Sequence, residues 1–509
     1  MAIGCRAQQL VANKCFGKCT VRTAEYHKRA RPIYTFSKNV IQEKGERICG
    51  QYHQNRGTLY TSKKLAGTPR LSPQEVTSIL RANEHTQEFT SAGSVKSYDS
   101  NQLPSNNPIE DTRTEAQCLL TKGLLLGVFD GHGGASCAQV IAKRLFHYIT
   151  VCLLPPDILH KYLNALENNK PMALLDVYND KLELVDELKI LYEASFKTFV
   201  KELSEIKDNQ RDFHMKEAME KAFLRLDSDM SNEALCKNDG KVNMKTLSVA
   251  ISGAVACVAH IDGPHLHIAS VGDCQCVLGV LTDVNTWTAK KLTTEHNTDN
   301  HEEVQRILRE HPNNERGTII KMERLLGQLA PLRALGDFRY KWNKRTLNST
   351  LLPYYGETAI PPNYYTPPYL TACPDVTHHK LTPRDKFLVI ASDGLWDLVS
   401  PLQVVRLVGE HMSGKVTLSP FKLPCKDMRI SDINHMLLQR KEGLKMKPTD
   451  RNAATHLLRN ALGGTEYGID HVKLSQLLSI PQELVRGFRD DITITVVYFD
   501  SEYLRHCPP

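Results

Sequence analysis

The chain has 509 residues, 41% apolar and 24% charged, which allows a large buried core and excludes a disordered or collagen-like polymer. No apolar run reaches the roughly eighteen residues that a membrane-spanning helix needs, and the nearest candidate, 247–261, is broken by Ser252 and Gly253. The formal charge of +7 is unevenly placed: residues 1–70 carry 14 Lys and Arg against 3 Asp and Glu, a net of +11 that leaves the rest at −4. A mildly acidic body argues against a nucleic-acid binder.

The leader, 1–70, is basic and poor in acids and has no secretory apolar region. That composition fits an organellar transit peptide, and equally a basic arm for nucleic acid or acidic lipid. The 14 cysteines show no Cys-x-x-Cys spacing, which excludes a zinc ribbon or disulfide framework and predicts reduced, buried thiols. LSPQEVTSILRANEH (71–85) opens with Ser72-Pro73, a helix-start signal. The core is expected to begin near Asn101.

Leu124–Leu126, Val128 and Phe129 form the apolar run of a strand buried on both faces, and it ends in GVFDGHGG (127–134). Gly131, Gly133 and Gly134 lack Cβ atoms, so this exit can turn tightly and bring backbone carbonyls close to a ligand. Residues 135–154 space Ala138, Ile141, Ala142, Leu145 and Ile149 as a core-facing helix, and the charged stretch to about 230 predicts solvated outer helix. Two apolar runs, 247–261 and 265–280, are joined by Asp262-Gly263-Pro264, a hairpin signal. Residues 347–376, with six prolines and five tyrosines, predict a surface excursion. A second insertion is expected at 412–452. KFLVIASDGLWDLVS (386–400) and DDITITVVYF (490–499) supply further strands. Antiparallel strands mixed with long helices predict an α+β class, with layers of helix around sandwiched sheets.

Acids recur at strand ends and tight turns: Glu110 and Asp111 in NNPIEDTR, Asp130 in VFDGHGG, Asp273 in SVGDCQ, Asp393 in ASDGLWD and Asp490 in FRDDITI. Taken singly, each is more often a cap or turn residue. Carboxylates gathered in one crevice repel unless a cation neutralises them, and oxygen donors without His or Cys select Mg²⁺ or Mn²⁺ over zinc.

These segments, together with Ser252-Gly253-Ala254 and Arg333-Ala334-Leu335-Gly336-Asp337, resemble in order the metal-dependent Ser/Thr protein phosphatases of the PPM (type 2C) family, over about 105–499. The resemblance implies an α-β-β-α sandwich with two mainly antiparallel sheets. It implies two Mg²⁺ or Mn²⁺ ions bridged by Asp130, with Asp393 and Asp490 on one and the Gly131 carbonyl and Glu110 on the other. A looser third ion would sit at Asp273 with Asp393. Asp111 would orient solvent, a metal-bound hydroxide would attack the phosphate, and His132 would protonate the departing serine. Many relatives have a phosphate-gripping arginine where this chain has Asn106; Arg113 is the remaining nearby cation.

Within the family, SNQLPSNNPIEDTR, RALGDFRYKW and the Pro/Tyr stretch resemble the pyruvate dehydrogenase phosphatase branch. That branch implies location in the mitochondrial matrix and phosphoserine on the α subunit of pyruvate dehydrogenase as substrate. It also implies docking to the lipoyl domain of the acetyltransferase core, and leaves a regulatory subunit open. The rival reading is a catalytically silent scaffold of the same fold, which loss of Asp130, Asp393 or Asp490 would have favoured; all three are present.

Overall fold

The computed structural model describes residues 70–507, apart from 91–92, 171, 207–213, 236–241 and scattered positions between 417 and 426. The basic leader therefore lies, except for Arg70, outside the described residues. Helix α1 (Pro73–Arg81) starts where Ser72-Pro73 predicts: the Ser72 hydroxyl accepts from the Glu75 amide while the Glu75 carboxylate accepts from the Ser72 amide. Such a capping box contributes about 1 kcal/mol.

Two antiparallel sheets follow. In chain order the strands are β1 (His85–Glu88), β2 (Val95–Leu103), β3 (Thr112–Cys118), β4 (Leu124–His132), β5 (Leu175–Tyr178), β6 (Gly253–Asp262), β7 (His265–Val271), β8 (Gln275–Leu281), β9 (Trp287–Lys291), β10 (Asp375–Lys380), β11 (Asp385–Ala391) and β12 (Ile492–Phe499). One sheet has the order β1-β2-β12-β11-β8-β9 and the other β10-β7-β6-β4-β3-β5, every neighbour antiparallel.

Side-chain alternation sorts the layers. Leu124, Leu126, Val128, Val255 and Cys257 of one sheet meet Cys276, Leu278, Leu388, Ile390 and Val497 of the other. The alternate residues Leu125, Phe129, Ala256 and Val258 face helices α2 (Ser136–Cys152) and α3 (Met215–Ala234). Val389, Ile494 and Val496 face α4 (Pro401–Ser413) and α5 (Ala453–Gly463). This is the expected α-β-β-α sandwich.

Several local expectations need correction. The core starts before Asn101: Val76 and Leu80 of α1 are buried, and Tyr98 of β2 is fully so. The run 247–261 divides into a helix, Met244–Ile251, capped by Asn243, and β6; a short apolar run does not by itself distinguish helix from strand. The run 265–280 divides between the two sheets at Gly272, φ +91°. Helix α3 is not a solvated outer helix. Its Ala218, Ala222, Phe223 and Leu226 are buried, while its charges pair inside, Glu233 bidentate with Arg144 at 2.7 Å and Asp227 with Lys341 at 2.8 Å. The Pro/Tyr stretch does run over the surface, with Tyr354, Tyr355 and Tyr365 exposed, and is anchored at two points: Tyr364 donates to the Trp342 carbonyl at 2.6 Å, and the Tyr369 hydroxyl donates to Glu315. In the second predicted insertion, Ile430–Lys445 is helical. Among the described residues no helix is long and apolar enough to cross a membrane.

Candidate active site

The acids collect at one end of the sandwich because antiparallel pairing brings those strand ends together. β4 delivers Asp130, Gly131 and His132 opposite the start of β6, with His132 in register with Gly253. β11 ends at Ala391, opposite Gln275 at the start of β8 and Ile494 near the start of β12. Asp273, Asp393 and Asp490 lie just beyond those ends. The 104–111 loop is tied down by Asp491, whose carboxylate accepts from the backbone amides of Ser105, Asn106 and Glu110 and from the Asn106 side chain at 2.9 Å.

Asp130 and Asp393 stand side by side and act on one another's charge. Burial, then the charges of Asp393, Asp111 and Asp273, holds Asp130 well above the usual carboxylate range. Burial also pushes Asp111 up to about 7, with Asp491 adding to it, and Asp273 up to about 7, with Asp393 adding to it. Asp111 accepts from the Ser392 hydroxyl at 2.7 Å, which ties the first loop to the Asp393 turn. Glu110 Oε1 accepts from the Gly134 amide at 2.7 Å, in a turn where Gly133 and Gly134 have φ of +69° and +123°. At Gly131 a Cβ would lie 2.4 Å from the Glu110 carbonyl oxygen, so only glycine lets the two segments approach.

This donor set fits a hard divalent ion. Asp393 Oδ1 is buried without a hydrogen-bond partner among the described residues, and Asp130 and Asp393 face each other with like charge. Among the described residues no three His, Cys, Asp or Glu groups are already closed around one point, so water would complete the shell, as is usual for Mg²⁺.

Three features lie outside the predicted roles. Asp490 is ion-paired with Arg486, whose charge also acts on Glu110 and Asp393. The two predicted phosphate candidates have other partners: Arg113 is 6% exposed and bonded to Glu115 at 2.7 Å, and Asn106 is committed to Asp491. His132, 28% exposed, bonds through Nε2 to Asp337 Oδ2 at 2.5 Å. Burial works to lower the His132 pKa, but Asp337 outweighs it and the net direction is upward. Asp337 carries its own signal in the sequence, the RALGD segment; Arg486 carries none.

The sequence profile of the protein phosphatase 2C family matches residues 158–432, a stretch holding Asp273, Asp337 and Asp393. The chain belongs to that family. It is 44% identical over 472 residues to the mitochondrial [pyruvate dehydrogenase [acetyl-transferring]]-phosphatase 1 of Bos taurus, covering 89% of this chain and 86% of that one. It is 41% identical over 456 residues to phosphatase 2 of the same name from Homo sapiens, covering 85% and 84%. The Saccharomyces cerevisiae phosphatase 1 is 29% identical over 470 residues, covering 84% and 73%.

Proposed function

We propose that this chain is a mitochondrial protein serine/threonine phosphatase that removes phosphate from the α subunit of pyruvate dehydrogenase and so reactivates that complex. The observation that carries the proposal is the gathering of Asp111, Asp130, Asp273 and Asp393 in one buried cluster, in a chain similar over most of its length to phosphatases named for that substrate. Residues 1–70 would be the import leader, and the matrix the place of action. The lipoyl domain of the acetyltransferase core is the docking partner this reading favours, with room for a regulatory subunit.

Asp130, the Gly131 carbonyl, Asp393 and Asp490 would hold two Mg²⁺ or Mn²⁺ ions, Glu110 joining through water, and Asp273 with Asp393 would take a third. Bound there, such ions supply the Lewis acidity that makes water a competent nucleophile near neutral pH and positive charge against the phosphoryl oxygens. Asp111, behind the cluster and bonded to Ser392, keeps the Asp393 turn in place and orients solvent. Arg486 is the cation at this end of the site, and its planar fork suits phosphoryl oxygens once Asp490 is engaged elsewhere. His132, with Nε2 held by Asp337, keeps Nδ1 to hand a proton to the serine oxygen as it leaves.

The test is phosphate release from phosphorylated pyruvate dehydrogenase in Mg²⁺ and in excess chelator. Release that needs the metal supports the reading. No release from this substrate, beside release from other phosphoproteins, removes the substrate assignment while leaving the phosphatase.

A further inference from the structure

Strands β6, β7 and β10 carry a row of histidines far from the acids. His260 lies opposite His267, and His267 opposite His378, so the three point to one face, and His265 joins that face two residues from His267. It is the outward face of the sheet: Val258, Ala269 and Val271, in step with these histidines, pack toward the helices, whereas Leu266 and Ile268 pack between the sheets. The rings are gathered. His267 stacks on His378 with centroids 4.5 Å apart, and His265 on His378 at 5.3 Å. His265 Nδ1 stands 3.1 Å from His378 Nε2, and His267 Nδ1 is buried with no hydrogen-bond partner among the described residues.

We propose that His265 and His378, with His267 as third ligand, form a binding site for a borderline transition-metal dication, Zn²⁺ in particular. Two nitrogens bound to one tetrahedral Zn²⁺ at about 2.0–2.1 Å stand roughly 3.3 Å apart, so this pair needs to open by only a few tenths of an ångström. Without the ion, one nitrogen of the pair donates to the other; a tautomer exchange leaves a lone pair on both nitrogens, and rotation of the two rings aims these at one ion. His267 would have to rotate to bring its unpartnered nitrogen to the same point, and the exposed His265 and His378 would leave room for water as the fourth ligand. Burial and the neighbouring imidazoles hold His267 down at about 4, and burial with His265 holds His378 low, so both present the neutral, ligating form at pH 7.

Imidazole donors prefer Zn²⁺ to Mg²⁺, whereas the carboxylate cluster prefers Mg²⁺, so the two sites sort their ions by chemistry. They are also apart: His265 begins β7, and Asp273 follows that strand's other end, roughly 25 Å away at the rise of an extended chain. A Zn²⁺ ion here would pin the edge strand β10 to β7, and its effect belongs to stability and not to turnover.

The experiment uses the full chain without a histidine tag, in millimolar Mg²⁺ so that the acid cluster is occupied. Zn²⁺ is titrated against a chromophoric chelator, and melting is followed with and without Zn²⁺. One equivalent is expected to bind, at least tenfold more weakly in His378→Ala and in the surface variant His265→Gln, with the Zn²⁺-dependent rise in Tm lost in both. His379→Ala, which points to the opposite face and bonds Asp385, should bind as the parent does. Equal Zn²⁺ affinity in parent and both site variants, or no Zn²⁺ bound in the presence of Mg²⁺, would overturn the proposal. Basal phosphatase activity of the variants in Mg²⁺ confirms that they are folded.

Discussion

The His132 imidazole meets the Asp337 carboxylate in space that Gly253 leaves open: a Cβ there would lie 2.1 Å from Asp337 Oδ2 and 2.4 Å from His132 Nε2. Asp337 itself has φ +53°, a region that Asp and Asn tolerate, so Asp337→Asn keeps the backbone and removes only the charge. If His132 protonates the leaving oxygen, His132→Gln should slow phosphoserine hydrolysis by roughly 10² or more. An aryl phosphate, whose phenolate leaves unaided, should lose much less, and Asp337→Asn should show the same inequality at smaller size. Equal losses on both substrates at saturating metal would make the pair structural. Arg486→Ala should raise the inhibition constant of inorganic phosphate about tenfold, the worth of a charge-assisted hydrogen bond, with the Mg²⁺ requirement unchanged; an unaltered constant would show that phosphate is held elsewhere. The acids and His132 were legible because each stands in a short motif. Arg486 was not, because an arginine after a one-turn helix, Gln482–Val485, has no local pattern to mark it.

At the scale of elements, β4 is the strand its apolar run predicts, and its exit is shaped by crowding. Gly131→Ala would put a methyl group against the Glu110 carbonyl, so the 104–111 loop must move outward. We expect a loss of about 1–3 kcal/mol, the usual cost of overpacking, with a larger fall in turnover than in stability, read by chemical denaturation beside phosphatase assay. Retained activity in a destabilised variant would detach that loop from the chemistry. The Pro/Tyr stretch shows where composition misleads. Prolines did exclude regular strand and Tyr354, Tyr355 and Tyr365 are exposed, but Tyr364 and Tyr369 are buried because Trp342 and Glu315, 22 and 54 residues away, receive their hydroxyls. Helix α3 misled in the same way: its acids read as solvent-facing until Arg144 and Lys341 are seen opposite them. Pairing across the fold is information that a single segment does not contain.

For the whole molecule, the α+β class followed from antiparallel strands mixed with long helices and the α-β-β-α order from the family resemblance, whereas the assignment of strands to sheets depended on pairings over hundreds of residues, such as β2 with β12. The leader's charge fits an import signal or a basic arm alike, and likeness to mitochondrial phosphatases favours import; a reporter fused to residues 1–70 should enter mitochondria and be cleaved there, and a cytosolic reporter would refute it. The central claim is that the acid cluster is the metal-dependent reaction centre. Its most direct test is Mn²⁺ binding and phosphoserine-peptide turnover measured side by side for the parent chain and Asp393→Asn. Relief of the Asp130–Asp393 repulsion should leave the variant's melting temperature in chelator equal to or above the parent's, while Mn²⁺ affinity and nearly all turnover are lost. Full turnover in Asp393→Asn, or in the parent chain with excess chelator, would contradict the account.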